Sequence, residues 1–123
     1  MKFTVDKQEH YTVFKLDEEK LNSLMAPLVK SEMIVLNAEG VKNIIFDMTS
    51  IRFVDSSGLS SILITNRLCG NVQGSLVLTG VAENVMKLIK ISQLDSILNC
   101  VPTMQEAIDF VIMNDIESDF ENN

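Results

Sequence analysis

Several residue types that would point to a particular class of protein are scarce or missing in this chain of 123 residues. It has no Trp, one His, two Cys, two Pro and five Gly. So few Gly and Pro exclude collagen-like and low-complexity architectures, and an apolar content of 46% excludes a disordered chain. No run approaches the roughly 20 apolar residues of a membrane-spanning helix. The length suits one domain, because domains cluster near ~100–150 residues.

Basic residues are also in the minority. Ten Lys and Arg stand against seventeen Asp and Glu, and the net charge of −7 disfavours nucleic acid as a partner, because a phosphate backbone repels acidic surfaces. The N-terminal residues lack the apolar core of a secretory signal peptide, so we expect a cytoplasmic protein. Cys69 and Cys100 are then expected to be reduced thiols, since disulfides are rare in the cytosol.

Strand-like and helix-like patterns alternate along the chain. Runs that are β-branched, aromatic or continuously apolar predict strands at 3–7, 11–16, 43–48, 75–78 and 96–101. Apolar residues at helical spacing predict helices between 23 and 40, 56 and 69, 83 and 91, and 104 and 114. The first two strands flank a polar turn, which predicts a hairpin. This order indicates an α/β domain with a mixed sheet of about five strands and packed helices.

The domain is expected to span residues 1–114. Thr103 and Glu106 form a T-x-x-E capping box that opens the last helix, and the apolar pattern of that helix fades after Asn114. The acids of residues 115–123 have no basic residue among them, and they supply four of the seven excess negative charges. We expect residues 115–123 to be a frayed acidic tail.

The most distinctive segment is 46–59, with the sequence F-D-M-T-S-I-R-F-V-D-S-S-G-L. A buried strand is predicted to end at Asp47, and a helix to begin within D-S-S-G-L, with Ser56 or Ser57 as its N-cap. Gly58 is a poor helix former, so its place in the first turn indicates the close approach of a packed backbone or of a partner surface. Spacing by itself leaves open that the run is only a helix cap.

The sequence contains no complete set of residues for a hydrolase, nucleotide-binding or metal site. The single histidine, His10, falls in the predicted hairpin turn, so no Ser-His-Asp triad can be assembled. The sequence has neither a G-x-S-x-G elbow nor a phosphate-binding G-x-x-x-x-G-K-[ST] loop. Asp47 and Asp55 lack the further ligands of a metal site. We therefore expect no enzymatic activity, no metal and no cofactor.

The stretch I-I-F-D-M-T-S-I-R-F-V-D-S-S-G-L resembles the signature of the STAS domain, and particularly of the bacterial anti-sigma-factor antagonists. That signature is an apolar strand often ending in Asp, a short loop, an apolar pair and Asp-Ser-Ser/Thr-Gly-Leu. Residues 75–78 and 85–94 are similar to the next strand and helix of the family. The resemblance implies a STAS-type fold. Lys15-Leu16-Asp17 lies where the family has Gly-Glu-Leu-Asp, but Phe14 replaces the glycine and Lys15 replaces the acid. Gln93 replaces a glycine that follows the third helix of the family, so this helix is expected to end in another way.

The resemblance also implies a function. In that family, the serine directly after the aspartate is phosphorylated by a partner that is both a serine kinase and an anti-sigma factor, and here it corresponds to Ser56. The unphosphorylated form binds this partner and releases a sigma factor, and a phosphatase resets the phosphorylated form. Asp55 is expected to fix the loop and the Ser56 hydroxyl, and Ser57 and Gly58 to shape the helix start. The surrounding partner face is expected to include Asp17, Asn22, Asp47 and Thr49.

Two alternatives stay open at this point. The domain is also suited to be a constitutive STAS assembly subunit of a transport or signalling complex, with a serine that is never phosphorylated. The acidic run 17–19 is equally typical of the solvated start of a helix, and in that case Asp17 would not border the Ser56 site. For the free protein we expect a monomer.

Overall fold

The computed structural model describes residues 1–121, and their side chains as far as Glu117. The strands of the central sheet are β1 (Phe3–Lys7), β2 (Thr12–Leu16), β4 (Ile44–Asp47), β6 (Leu76–Thr79) and β7 (Asn99–Val101). A separate two-stranded ribbon is formed by β3 (Lys20–Leu21) and β5 (Phe53–Val54). The helices are α1 (Ala26–Ala38), α2 (Ser56–Asn71), α3 (Glu83–Ile91) and α4 (Met104–Glu121).

The central sheet is mixed, as the sequence predicts. Its strand order is β1-β2-β4-β6-β7, with β1 antiparallel to β2 and all other neighbours parallel. The parallel strands therefore all end at one edge of the sheet, and the helices that follow them begin there. This arrangement confirms the α/β class and the N-terminal hairpin.

Helices cover both faces of the sheet. Alternate strand residues point to opposite faces, and Phe46 packs in the main core with α1, α2 and α3, whereas its neighbour Ile45 packs with α4. Phe14 is fully buried in the main core, with its ring 5.4 Å from that of Phe3 and 5.3 Å from that of Phe46. Phe14, one of the departures from the family pattern, thus packs against aromatic rings of both neighbouring strands, β1 and β4.

The C-terminal helix is longer than the sequence pattern indicates. Glu106 N donates to Thr103 Oγ1 at 3.2 Å at the start of α4, and the helix continues to Glu121. The predicted end of the last helix at Asn114 is therefore wrong, because α4 extends through residues 115–121. Asp115 helps to hold this part of the helix, because its carboxylate accepts a hydrogen bond from Asn43 Nδ2 at 3.0 Å. The last two residues of the predicted tail lie outside the described residues.

The chain after α3 also differs from the prediction. Gln93 has a φ of 60°, in the left-handed region that favours glycine. The expectation that α3 ends in another way is thus wrong, and the cost of a side chain in this region is about 1–2 kcal/mol. A short 3-10 helix at Leu94–Ser96 follows, which is why the last strand begins at Asn99 and not at residue 96.

The two cysteines are free thiols. Cys69 is buried in the main core, and burial raises the pKa of its thiol to about 12. Burial also raises the pKa of the Cys100 thiol. Both thiols are therefore protonated at neutral pH, in line with the expected reduced state. Within the described residues, no helix combines the length and apolar character that a bilayer crossing requires.

Candidate functional site

The candidate site lies where the parallel strands end. Asp17 directly follows β2, and Asp47 is the last residue of the neighbouring strand β4. Two segments of the chain, residues 17–23 and 47–58, continue from these strand ends. We term them the paired segments. Within them, β3 and β5 form the parallel two-stranded ribbon. Two-residue strands are too short to show periodicity, so the sequence did not predict this ribbon.

Hydrogen bonds join the paired segments along their length. Ser50 Oγ donates to Asp17 Oδ1 at 3.0 Å, and Arg52 N donates to Glu19 O at 2.7 Å. The acidic run 17–19 is therefore part of the loop between β2 and β3, and α1 begins only at Ala26. The alternative that this run starts a helix is wrong.

Asp55 connects the far ends of the paired segments. Its Oδ1 accepts a hydrogen bond from Gly58 N at 2.9 Å, and its Oδ2 accepts one from Ser23 N at 3.2 Å. Its own backbone N donates to Leu21 O at 3.3 Å. Asp55 has extended backbone angles and is the N-cap of α2, so the prediction that one of the following serines caps the helix is wrong. One carboxylate thus fixes both the start of α2 and the loop before α1.

Ser56 is the first residue of α2, and its side chain is exposed. The Ser56 hydroxyl has no hydrogen-bond partner within the described part of the chain, and the Asp55 carboxylate accepts from the backbone amides of Ser23 and Gly58. Asp55 therefore positions the loop but does not hold the hydroxyl. The first N–H groups of a helix have no intrahelical acceptors, and they favour a negative charge placed near them. Ser57 is half-buried.

Gly58 is buried against the ribbon. A Cβ atom at this position would lie 2.1 Å from the backbone oxygen of Leu21, a distance that real Cβ atoms do not show. Of the two explanations for a glycine in the first turn, the packed backbone is correct. The lack of a side chain lets α2 start directly against β3.

The other predicted partner residues shape their own loops. Asn22 Oδ1 accepts from Leu24 N at 3.0 Å and caps the turn that leads into α1. Asp47 Oδ1 accepts from Thr49 N at 3.0 Å and from Thr49 Oγ1 at 2.7 Å, which turns the chain as it leaves β4. The structure thus brings every predicted site residue into the paired segments.

Two exposed apolar side chains in or beside the paired segments were not predicted. Leu24, next to the Ser23 amide that binds Asp55, is 75% exposed, and Phe53 in β5 is 51% exposed. A sequence pattern marks such residues as core candidates, and only the fold shows that they face solvent.

Removal of the Asp55 carboxylate tests its role as a cap. Asp55→Ala is expected to lower the free energy of unfolding by about 1–2 kcal/mol, because N-cap loss costs about 0.5–2 kcal/mol. Asp55→Asn keeps one acceptor oxygen and should lose less. Urea denaturation followed by circular dichroism measures both. The matched control is Asp95→Ala at an exposed position outside the site, and a loss no larger than that of the control would contradict the capping role.

The candidate site lies in an α/β domain with a mixed sheet, at the start of a helix that Asp55 caps. Among the described residues, no three His, Cys, Asp and Glu are grouped to hold a metal ion. Residues 2–107 match the family model of the STAS domain. The chain belongs to the STAS domain family.

Individual relatives agree with this assignment. The chain is 28% identical over 92 residues to BtrV of Bordetella bronchiseptica, which is named as a candidate anti-sigma factor antagonist; the match covers 75% of this chain and 78% of BtrV. Its fold is similar to that of TM1081 from Thermotoga maritima, a candidate anti-sigma factor antagonist, with a TM-score of 0.84, 22% identity, and coverage of 89% of this chain and 93% of that one.

A third similar structure is SpoIIAA from Bacillus, an anti-sigma factor antagonist solved in two forms. The unphosphorylated form gives a TM-score of 0.71 at 22% identity, and covers 89% of this chain and 97% of SpoIIAA. The phosphorylated form gives a TM-score of 0.70 at 24% identity, and covers 89% and 99%. Both forms therefore share the fold of this chain.

Proposed function

We propose that this protein is an anti-sigma-factor antagonist that works by partner switching. In its unphosphorylated form it binds an anti-sigma factor that is also a serine kinase, and a sigma factor is released. Phosphorylation of Ser56 blocks this binding. The observation that carries the proposal is the place of Ser56, exposed at the first position of a helix whose cap, Asp55, is fixed from both paired segments.

The fold is suited to accept the phosphate. A phosphate on Ser56 adds about −1.5 to −2 charges at pH 7. At a helix N-terminus the dipole favours an anion by about 0.3–1 kcal/mol. The similar TM-scores to the two forms of SpoIIAA support a modification that leaves such a fold in place.

The surroundings of Ser56 explain why a bound partner would be lost. The paired segments already carry Asp17, Asp47 and Asp55, and Leu24 and Phe53 offer apolar surface that a partner buries. A phosphate among these groups would have to be desolvated when the partner binds. Misplaced charge at an interface costs several kcal/mol. A shift of about 5.5 kcal/mol is enough to turn a 1:99 equilibrium into 99:1.

In this proposal the protein is a substrate and a switch, with no catalysis of its own. The kinase transfers the γ-phosphoryl group of ATP to Ser56 Oγ: the bond between this group and ADP breaks, the new O–P bond forms, and the hydroxyl proton passes to a base of the kinase. A phosphatase reverses the step with water. The protein works in the cytoplasm as a monomer and needs no cofactor.

Phosphorylation in vitro tests this proposal. With the cognate kinase and ATP, the protein is expected to gain one phosphate, measured by intact mass. Ser56→Ala should gain none, because it lacks the acceptor oxygen. Ser57→Ala is the matched control and should still be labelled. Labelling of Ser56→Ala at the wild-type rate would refute the site. Affinity capture that yields transporter subunits and no kinase would instead favour the constitutive assembly subunit.

A further inference from the structure

The C-terminal helix α4 has an unusual charge pattern. Its eighteen residues contain six acids and no Lys, Arg or His. The acids are Glu106, Asp109, Asp115, Glu117, Asp119 and Glu121. The helix packs on the sheet face opposite α1, α2 and α3, through Ala107 and Val111 against Ile45 and Val77. It therefore lies on the other side of the sheet from α2, which begins at Ser56.

The side of α4 that faces away from the sheet is apolar as well as acidic. Ile112, Met113 and Ile116 are exposed, and Met113 reaches 56%. Residues three and four apart share one face of a helix, so these side chains are neighbours of Asp109 and Glu117. We term these five residues the α4 outer face.

The acids of this face are not neutralised by the rest of the fold. Among the described side chains, Asp115 is the only α4 acid in a salt bridge, with Lys42 Nζ at 3.4 Å, and it points toward the sheet edge at Asn43. Asp109 accepts only a neutral hydrogen bond, from Gln105 Nε2 at 3.0 Å. Asp109 and Glu117 are thus exposed carboxylates beside exposed apolar groups.

We propose that the α4 outer face binds a basic amphipathic helix of a partner protein, in which Lys and Arg flank an apolar stripe. The apolar groups supply area to bury, and the unpaired carboxylates are complementary to the cations. A second copy that packs α4 on α4 would place acids against acids. An anionic lipid surface would repel the same charges. The face lies across the sheet from α2, so this partner can stay bound while Ser56 is engaged.

Fluorescence anisotropy with a defined probe tests the proposal. The probe is a fluorescein-labelled peptide of Leu and Lys whose Leu residues share one helical face, and a scrambled peptide of the same composition is its control. The full chain is expected to bind the probe more tightly than the scrambled peptide, and more weakly as salt is added. Ile116→Ser and Met113→Ser are each expected to lower the affinity about tenfold.

Ile91→Ser is the matched control, because Ile91 is 81% exposed on α3, away from the α4 outer face. It should bind the probe like the wild type, and backbone amide shifts caused by the probe should be confined to α4. Far-UV circular dichroism verifies that each variant is folded. The proposal is overturned by equal binding of probe and scrambled peptide, or by shifts located elsewhere. Vesicles of anionic lipid that bind the chain through Ile116, or a dimer that Ile116→Ser dissociates in sedimentation, would also overturn it.

Discussion

Ser56→Asp is expected to weaken binding to the anti-sigma factor at least about 100-fold, a loss of about 2.7 kcal/mol, whereas Ser56→Ala should bind like the unphosphorylated wild type. This outcome depends on the proposed partner-switching function. The aspartate brings a charge to the centre of an acidic surface, where Asp55 is already exposed. That charge must be desolvated when the partner covers the site. The alanine removes only a hydroxyl that has no partner within the described residues.

Isothermal titration calorimetry with the purified partner measures both affinities. Ser96→Asp is the matched control, because Ser96 is exposed and precedes β7, at the sheet edge opposite the paired segments. It adds the same charge but should leave the affinity unchanged. Amide fingerprint spectra should show that Ser56→Asp changes only the loop and the start of α2, because the helix N-terminus accepts an anion. A globally unfolded Ser56→Asp would be at odds with a switch on the surface, as would undiminished binding.

Gly58→Ala is expected to lower the free energy of unfolding by about 3 kcal/mol, although alanine is the better helix former by about 0.5–1 kcal/mol. The added methyl group would lie 2.1 Å from Leu21 O, and the atom that must move belongs to the backbone of β3. Since β3 pairs with β5 immediately before Asp55, a shift of this strand also disturbs the cap of α2. The steric cost therefore exceeds the gain in helix propensity.

The same helix offers a control for this substitution. Gly70, also in α2, has no atom within 4 Å of a Cβ built at its position. Gly70→Ala should therefore be neutral or stabilise the protein by up to about 1 kcal/mol. Urea denaturation of the two variants compares them directly. A Gly58→Ala variant as stable as Gly70→Ala would show that the approach of β3 to α2 is not rigid.

Much of the fold follows from local patterns. The helix predicted at 83–91 has these same bounds in the structure, since its apolar residues repeat on one face and a strand and a turn flank it. The hairpin and the parallel strands were also predicted, because continuous apolar runs are typical of strands covered on both faces. The end of the last helix was not predicted correctly. Residues 115–121 are supported by the contact of Asp115 with Asn43, which is 72 positions away in the sequence.

The candidate site, too, could be predicted from the sequence only in part. The D-S-S-G-L run was enough to locate the start of a helix and to single out Ser56, but three consecutive residues there are all good N-caps. Only the backbone angles of Asp55, set by its bonds to Ser23 and Leu21, decide which of them is the cap. For Gly58, the sequence left two explanations, and the position of Leu21 O selects one.

Local sequence patterns are therefore enough to predict the α/β class, the strands and helices with strong periodicity, and the serine at the start of α2. The pairing of segments 17–23 and 47–58, and the exposure of particular apolar groups, follow only from the three-dimensional fold. The packing of Ala107 and Val111 also places α4 on the sheet face opposite α2. Periodicity and capping depend on neighbours within a few residues of the chain. Strand pairing, close approach and exposure depend instead on residues that are far apart in the sequence and that only folding brings together.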